Sequence, residues 1–104
     1  MSAFADVRIV DFTQGLAGPM AAMLLGDFEA DIIKVEPPQG DRMKDHPGYL
    51  TWNRNKRLLT LDLTTEAGIA AARDLIARAD VALFDHAPGK LEALGLDART
   101  LTEA

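Results

Sequence analysis

Gly15 and Gly18 lie in the run Thr13-Gln14-Gly15-Leu16-Ala17-Gly18-Pro19, after the β-branched segment Val7-Arg8-Ile9-Val10-Asp11-Phe12 and before an apolar stretch. A strand, a glycine-bearing turn and a helix in that order aim backbone N–H groups at the carboxyl end of the strand, where open α/β sheets hold anionic ligands. The chemistry on offer is capture of a phosphate or a carboxylate. A second feature complements it in charge. From Arg42 to Arg57 the cations Arg42, Lys44, Arg54, Lys56 and Arg57 face a single acid, Asp45, so this segment carries +4 and the rest of the chain −9. A basic island in an acidic chain suits a small polyanion, and it equally describes a solvated charge run.

Other chemistries find less support. Gly15 and Gly18 do not form G-x-G-x-x-G, and no G-x-x-x-x-G-K-[ST] occurs, so dinucleotide and P-loop nucleotide sites are not indicated; the glycines could serve the turn alone. His46 and His86 stand apart without the spacing of a metal site or a triad, so no metal site is expected. The chain has no cysteine, which removes disulfides and thiol nucleophiles and fits a reducing compartment, with the cytoplasm as the default. A net charge of −5 argues against general nucleic-acid binding. The apolar run around Met20–Leu25 is too short to span a bilayer, and no basic n-region opens the chain, so neither a membrane protein nor a secreted one is expected.

These groups need a scaffold, and the pattern predicts an α/β one. A strand over Arg8–Phe12 leads into a helix that starts at Gly18-Pro19, where a first-turn proline loses nothing by lacking an N–H. Met20, Leu24 and Phe28, with Ala21 and Leu25 beside them, mark the face expected to pack on the sheet. A second strand over Asp31–Glu36 ends at Pro37-Pro38, giving a βαβ unit with a parallel pair. An irregular segment runs to about Leu50. A third strand is expected over Leu58–Leu63. A helix from Glu66 to about Arg78, capped by Thr65, shows Ile69, Ala72, Ile76 and Ala79 on one face. Val81–Asp85 reads as a fully buried fourth strand, Pro88-Gly89 opens a short helix through Leu94, and Asp97 caps a last turn containing Leu101. The expected fold is an open α/β sheet of about four strands, mainly parallel and Rossmann-like, with flanking helices.

The glycine turn, the run Met20–Asp27 into Asp31-Ile32-Ile33-Lys34-Val35-Glu36-Pro37-Pro38, the pair Gly40-Asp41, and Asn53-Arg54-Asn55-Lys56-Arg57 also keep a familiar order and spacing. So do Leu61-Asp62-Leu63, Ala79-Asp80-Val81 and Pro88-Gly89-Lys90-Leu91 through Leu94-Gly95-Leu96. With them the chain resembles the N-terminal part of the family III coenzyme A transferases of CaiB/BaiF type, which include formyl-CoA and carnitine CoA-transferases and related acyl-CoA racemases. Members of that family are several times longer. The resemblance therefore implies that residues 1–104 are an N-terminal α/β portion, with the catalytic segment absent.

It further implies an acyl-CoA:carboxylate CoA-transferase in the complete protein, working through an aspartate nucleophile downstream of this region, so no catalytic residue is assigned here. Coenzyme A or acyl-CoA is then a substrate, with no tightly bound cofactor. An acyl-CoA and a carboxylic acid are the small-molecule partners, and the complete protein is an interlocked homodimer. Gln14, Gly15, Leu16 and Ala17, the segment from Leu61 to Thr64, and Pro88 with Gly89 correspond to places that line the coenzyme A site. Arg54, Lys56 and Arg57 are candidates for its phosphates. Two alternatives stay open: an acyl-CoA racemase, or a catalytically inert domain used for dimerisation or acyl-CoA binding. Departures from the family pattern favour the inert domain. Where relatives carry Glu-Asn-Phe or Glu-Asn-Tyr and then Arg-Pro-Gly, this chain has Phe84-Asp85-His86-Ala87-Pro88-Gly89, an added carboxylate and a lost guanidinium. Pro37 stands where relatives have an arginine, and Leu16 replaces a glutamine.

Overall fold

Short apolar strands joined through helices can pair in parallel, because each crossover returns the chain to the same end of the sheet. The computed structural model describes residues 4–87 and 89–103, and in it four strands form one sheet: β1 (Arg8–Asp11), β2 (Asp31–Glu36), β3 (Lys56–Thr60) and β4 (Val81–Leu83). Their order is β3-β2-β1-β4 with every adjacent pair parallel, so β1 and β2 are central and β3 and β4 are edges. The helices are α1 (Ala17–Asp27), α2 (Tyr49–Trp52), α3 (Glu66–Ala77), α4 (Lys90–Leu94) and α5 (Ala98–Glu103). The open, parallel α/β architecture is as the sequence predicts.

Alternation along β1 sends Ile9 and Val10 to opposite faces, and each anchors its own core. Val10, Phe12 and Val35 pack with Ala72 of α3 and with Leu96, joined by Leu75, Ile76 and Ala79. Phe12 and Phe84 stack with ring centroids 4.7 Å apart. On the other face Ile9 and Ile32 meet Ala22 of α1 and Ala30. Helix α3 starts as expected: the Thr65 hydroxyl accepts the Gly68 N–H at 3.0 Å. Gly68 is required there, since a Cβ would lie 1.8 Å from the Asp62 carbonyl oxygen.

Two expectations are corrected. The face of α1 bearing Met20, Leu24 and Phe28 does not pack on the sheet; these side chains are 40%, 55% and 57% exposed. The buried face consists of Pro19, Ala22, Met23 and Gly26. Small residues let the helix sit close to the strands, as at Gly26, where a Cβ would lie 3.3 Å from Ile32 of β2. Strand β4 is not fully buried either. It is shorter than predicted, forms an edge, and leaves Val81 40% exposed. Boundaries moved as well. Strand β3 begins at Lys56 and stops at Thr60, after which the Asp62 carboxylate accepts the Thr64 N–H and turns the chain toward α3. The irregular segment after β2 holds the single-turn helix α2.

Candidate functional site

The carboxyl ends of the strands are built from Phe12–Gln14 after β1, Pro37 after β2, Leu61 after β3 and Phe84–His86 beyond β4. Between them lies a cleft of about 290 Å³, floored by Phe12, Val35, Leu61 and Leu94 and rimmed by Gln14, Thr64, His86 and Lys90. Gln14 and the pair Leu61 and Thr64, singled out from two separate stretches of sequence, thus meet at one place. The floor is apolar and the rim polar, the arrangement of a small-molecule site. A larger depression of about 590 Å³ lies beside β4, between α3 and α5. Its walls include Ile76, Ala79 and Val81, so it is the uncovered flank of an edge strand.

The glycine turn is the other half of the site, and its amides are engaged. Gly15, at φ +85°, donates its N–H to Asp41 Oδ1 at 3.1 Å, and the Gln14 N–H goes to Asp85 Oδ2 at 3.1 Å. The Thr13 N–H goes to Asp11 Oδ1 at 2.9 Å. The turn does hold anions, and these are carboxylates of the chain itself. Arg42 lies across it, its backbone N–H bonded to Gln14 Oε1 and its guanidinium to the Gln14 carbonyl, both at 3.1 Å.

Beneath the turn is a buried charge network. Lys34 is 1% exposed and donates to Asp41 at 2.5 Å and to Asn53 Oδ1 at 3.0 Å, with Glu36 at 3.7 Å. Lys56, 2% exposed, donates to Asp11 Oδ2, to Asn53 Oδ1 and to the Pro19 carbonyl, each at 2.9 Å. Tyr49 closes the network with its hydroxyl on Glu36. Burial pushes the Asp41 carboxyl up, but hydrogen bonds from Lys34 and from the Met43 and Gly15 N–H groups outweigh it and leave it below its ordinary value. Burial pulls the Lys56 ammonium down, and Asp11 offsets this only in part. The Tyr49 phenol is pushed up, first by burial and then by Glu36.

The structure therefore separates the three cations grouped by the sequence. Lys56 is enclosed in the network. Arg54 and Arg57 sit at the opposite, amino end of the strands, where Arg54 grips Asp27 at 2.6 Å and 3.1 Å and Arg57 makes two 2.8 Å bonds to Asp31. Leu16 and Ala17 are exposed at the start of α1 and do not line the cleft. Gly89 precedes α4 at φ +86°, with no atom within 4 Å of where a Cβ would sit; Pro88 lies outside the described residues.

His86, Lys90, Asp41 and Asn53 were missed by the sequence reading. His86 faces the cleft, and its Nδ1 is buried without a hydrogen-bond partner. Burial lowers its pKa, with Asp85 pulling it up and Lys90 pushing it further down. The signal for the network was Lys34 itself: a lysine inside Ile32-Ile33-Lys34-Val35 on a central strand requires a buried anion. Among the described residues no group of three or more His, Asp or Glu side chains could hold a metal. Nor is any helix there long and apolar enough to cross a membrane.

The sequence signature of CoA-transferase family III matches residues 4–104. The chain is 41% identical over 98 residues to the CoA-transferase/lyase DddD of Marinomonas sp. (strain MWYL1), covering 94% of this chain and 12% of that protein. To the succinyl-CoA:mesaconate CoA-transferase of Haloarcula hispanica it is 38% identical, covering 99% of this chain and 29% of that one. The crystal structure of Rv3272 from M. tuberculosis superposes with a TM-score of 0.94 at 39% identity, over 99% of this chain and 29% of the other. A CAIB/BAIF family protein from Brucella suis gives 0.90 at 32% identity, over 98% and 30%. The chain thus spans less than a third of the length of these relatives.

Proposed function

We propose that this chain, which belongs to CoA-transferase family III, supplies part of the coenzyme A site of an acyl-CoA:carboxylate CoA-transferase. Residues 1–104 are its N-terminal α/β portion, and the nucleophile comes from sequence outside them. One observation carries this reading: Gln14 from the glycine turn and Leu61 and Thr64 from the segment after β3 converge on a single cleft over the carboxyl ends of parallel strands. Its apolar floor suits the pantetheine arm, and Lys90 on the rim suits an anionic group. At about 290 Å³ the cleft takes a section of coenzyme A, with the remainder lying along the turn. The complete protein is a cytoplasmic homodimer, which would cover the exposed Leu16, Met20, Leu24 and Phe28. Arg54, Lys56 and Arg57 act in this reading as structural cations.

Calorimetric titration of the chain with coenzyme A tests it. Saturable binding that weakens when Thr64 or Lys90 is replaced by alanine is the expected result; a folded sample that binds nothing sinks the reading. A second reading, an inert acyl-CoA-binding or dimerisation domain, draws support from Asp41 and Asp85, which already occupy the turn amides. It predicts no acyl transfer when the complete protein is offered succinyl-CoA and a dicarboxylate, with coenzyme A bound by an acyl-CoA-binding domain and not by one that only dimerises. Exchange of an α-proton without acyl transfer would instead point to a racemase.

A further inference from the structure

Two carboxylates sit on the glycine turn, and they are not equivalent. Asp41 is fully buried and bound to Lys34, which is as inaccessible as itself. Asp85 is 35% exposed at its side chain, and its second partner is the Arg42 guanidinium at 3.6 Å, 69% exposed. Asp85 Oδ2 therefore rests between a backbone N–H, that of Gln14 at 3.1 Å, and a guanidinium, in a place open to solvent. Those are the donors that bind phosphate oxygens, and they accept either anion.

The guanidinium is fixed in position. Its Nη2 donates to the Gln14 carbonyl at 3.1 Å, and the Arg42 backbone N–H donates to Gln14 Oε1. Gly15 makes room for it: a Cβ on Gly15 would lie 3.0 Å from Arg42 Nη2, at a φ of +85° that disfavours a side chain. Gln14 also lines the cleft, so the seat borders it.

We propose that Asp85 is an internal occupant of an anion seat formed by the Gln14 N–H and the Arg42 guanidinium, and that a phosphate-bearing ligand takes the seat only by displacing it. The inference rests on the coenzyme A reading for the ligand's identity, a pyrophosphate ester, but the seat itself is defined by Gln14, Arg42 and Asp85. Asp85 suppresses anion binding twice, by neutralising Arg42 and by repelling an incoming phosphate.

The test is titration of the chain and of Asp85→Asn with coenzyme A, inorganic pyrophosphate and pantetheine. Asparagine keeps the shape and an acceptor for the Gln14 N–H and removes only the charge. Removing a like charge at this separation should tighten coenzyme A and pyrophosphate by about tenfold and leave uncharged pantetheine unchanged. Adding Arg42→Gln should abolish the gain. Unchanged or weaker binding of pyrophosphate by Asp85→Asn overturns the proposal, and Asp85→Ser repeats the test should the asparagine variant lose its cooperative unfolding transition. Equal binding of coenzyme A by both proteins, with no gain for pyrophosphate, overturns the seat and leaves the coenzyme A reading standing. A gain for pyrophosphate with no coenzyme A binding by either protein supports the seat and removes the coenzyme A reading.

Discussion

Lys56 and Arg57 are neighbours on β3 and carry the same charge, yet their side chains are 2% and 63% exposed. Strand alternation sends them to different surroundings. Lys56 turns under the glycine turn, where Asp11, Asn53 and the Pro19 carbonyl take its three protons. Arg57 turns to solvent, where it shares Asp31 with Arg8. The cluster at 54–57 is thus two systems: Lys56, which holds the glycine turn from below, and Arg54 and Arg57, which pair with Asp27 and Asp31 at the far end of the sheet. Charge in a sequence says little about role until burial is known. A buried cation cannot be removed without stranding its anion, whereas an exposed one is replaced by water.

Lys34→Met should break the contrast most severely. It leaves Asp41 and Glu36 buried without their cation, a loss of about 3–5 kcal/mol of the roughly 5–15 kcal/mol that a domain of this size possesses. Urea unfolding would register it as a large drop in midpoint, and a variant as stable as the parent would refute the buried network. Lys56→Met should cost less, about 2–3 kcal/mol, because it strands one carboxylate, Asp11, where Lys34→Met strands two, and Asp11 keeps the Thr13 N–H and hydroxyl as donors.

Asp41→Asn sharpens the same point through pH. The Asp41 carboxyl titrates below its ordinary value, so its contribution is complete above the unfolded value of about 3.9 and is lost as pH falls through the lower folded value. The variant should be less stable than the parent at neutral pH, and the difference should shrink from pH 5 toward pH 2. A constant difference across that range would show that Asp41 is not the group responsible.

The fold was legible because the apolar runs at 8–12, 31–36 and 81–83, separated by helical patterns, leave few arrangements other than a parallel sheet. Lateral position was not legible. Val81-Ala82-Leu83 looks like a central strand, since no local signal says that nothing covers its outer flank. The packing face of α1 was misread for a related reason. Bulky Met20, Leu24 and Phe28 dominate an apolar periodicity, but the contact with the sheet is made by Ala22 and Gly26, whose value lies in how little space they take. In the candidate cleft, Gln14, Leu61 and Thr64 are residues that the resemblance singles out. The roles of Asp41 and Asn53 could not be read, because they depend on a loop of irregular backbone folding over Lys34 and Lys56. The parting of Lys56 from Arg57 rests on strand register, and register emerges only from the whole sheet.

The smallest expected effect completes the contrast. Arg57→Ala removes two 2.8 Å bonds to Asp31, but both side chains are well exposed and Arg8 remains on the same carboxylate at 3.0 Å. Stability should fall by less than about 1 kcal/mol, and the loss should vanish at high salt, where a surface pair is screened. Coenzyme A affinity should stay within about twofold of the parent, since Arg57 is at the amino end of strands whose carboxyl ends carry the cleft. A large loss of affinity with stability unchanged would mean that the ligand, or the rest of the protein, reaches around the β3 edge to that guanidinium, and the division between Lys56 beneath the turn and Arg54 and Arg57 at the far end would have to be redrawn.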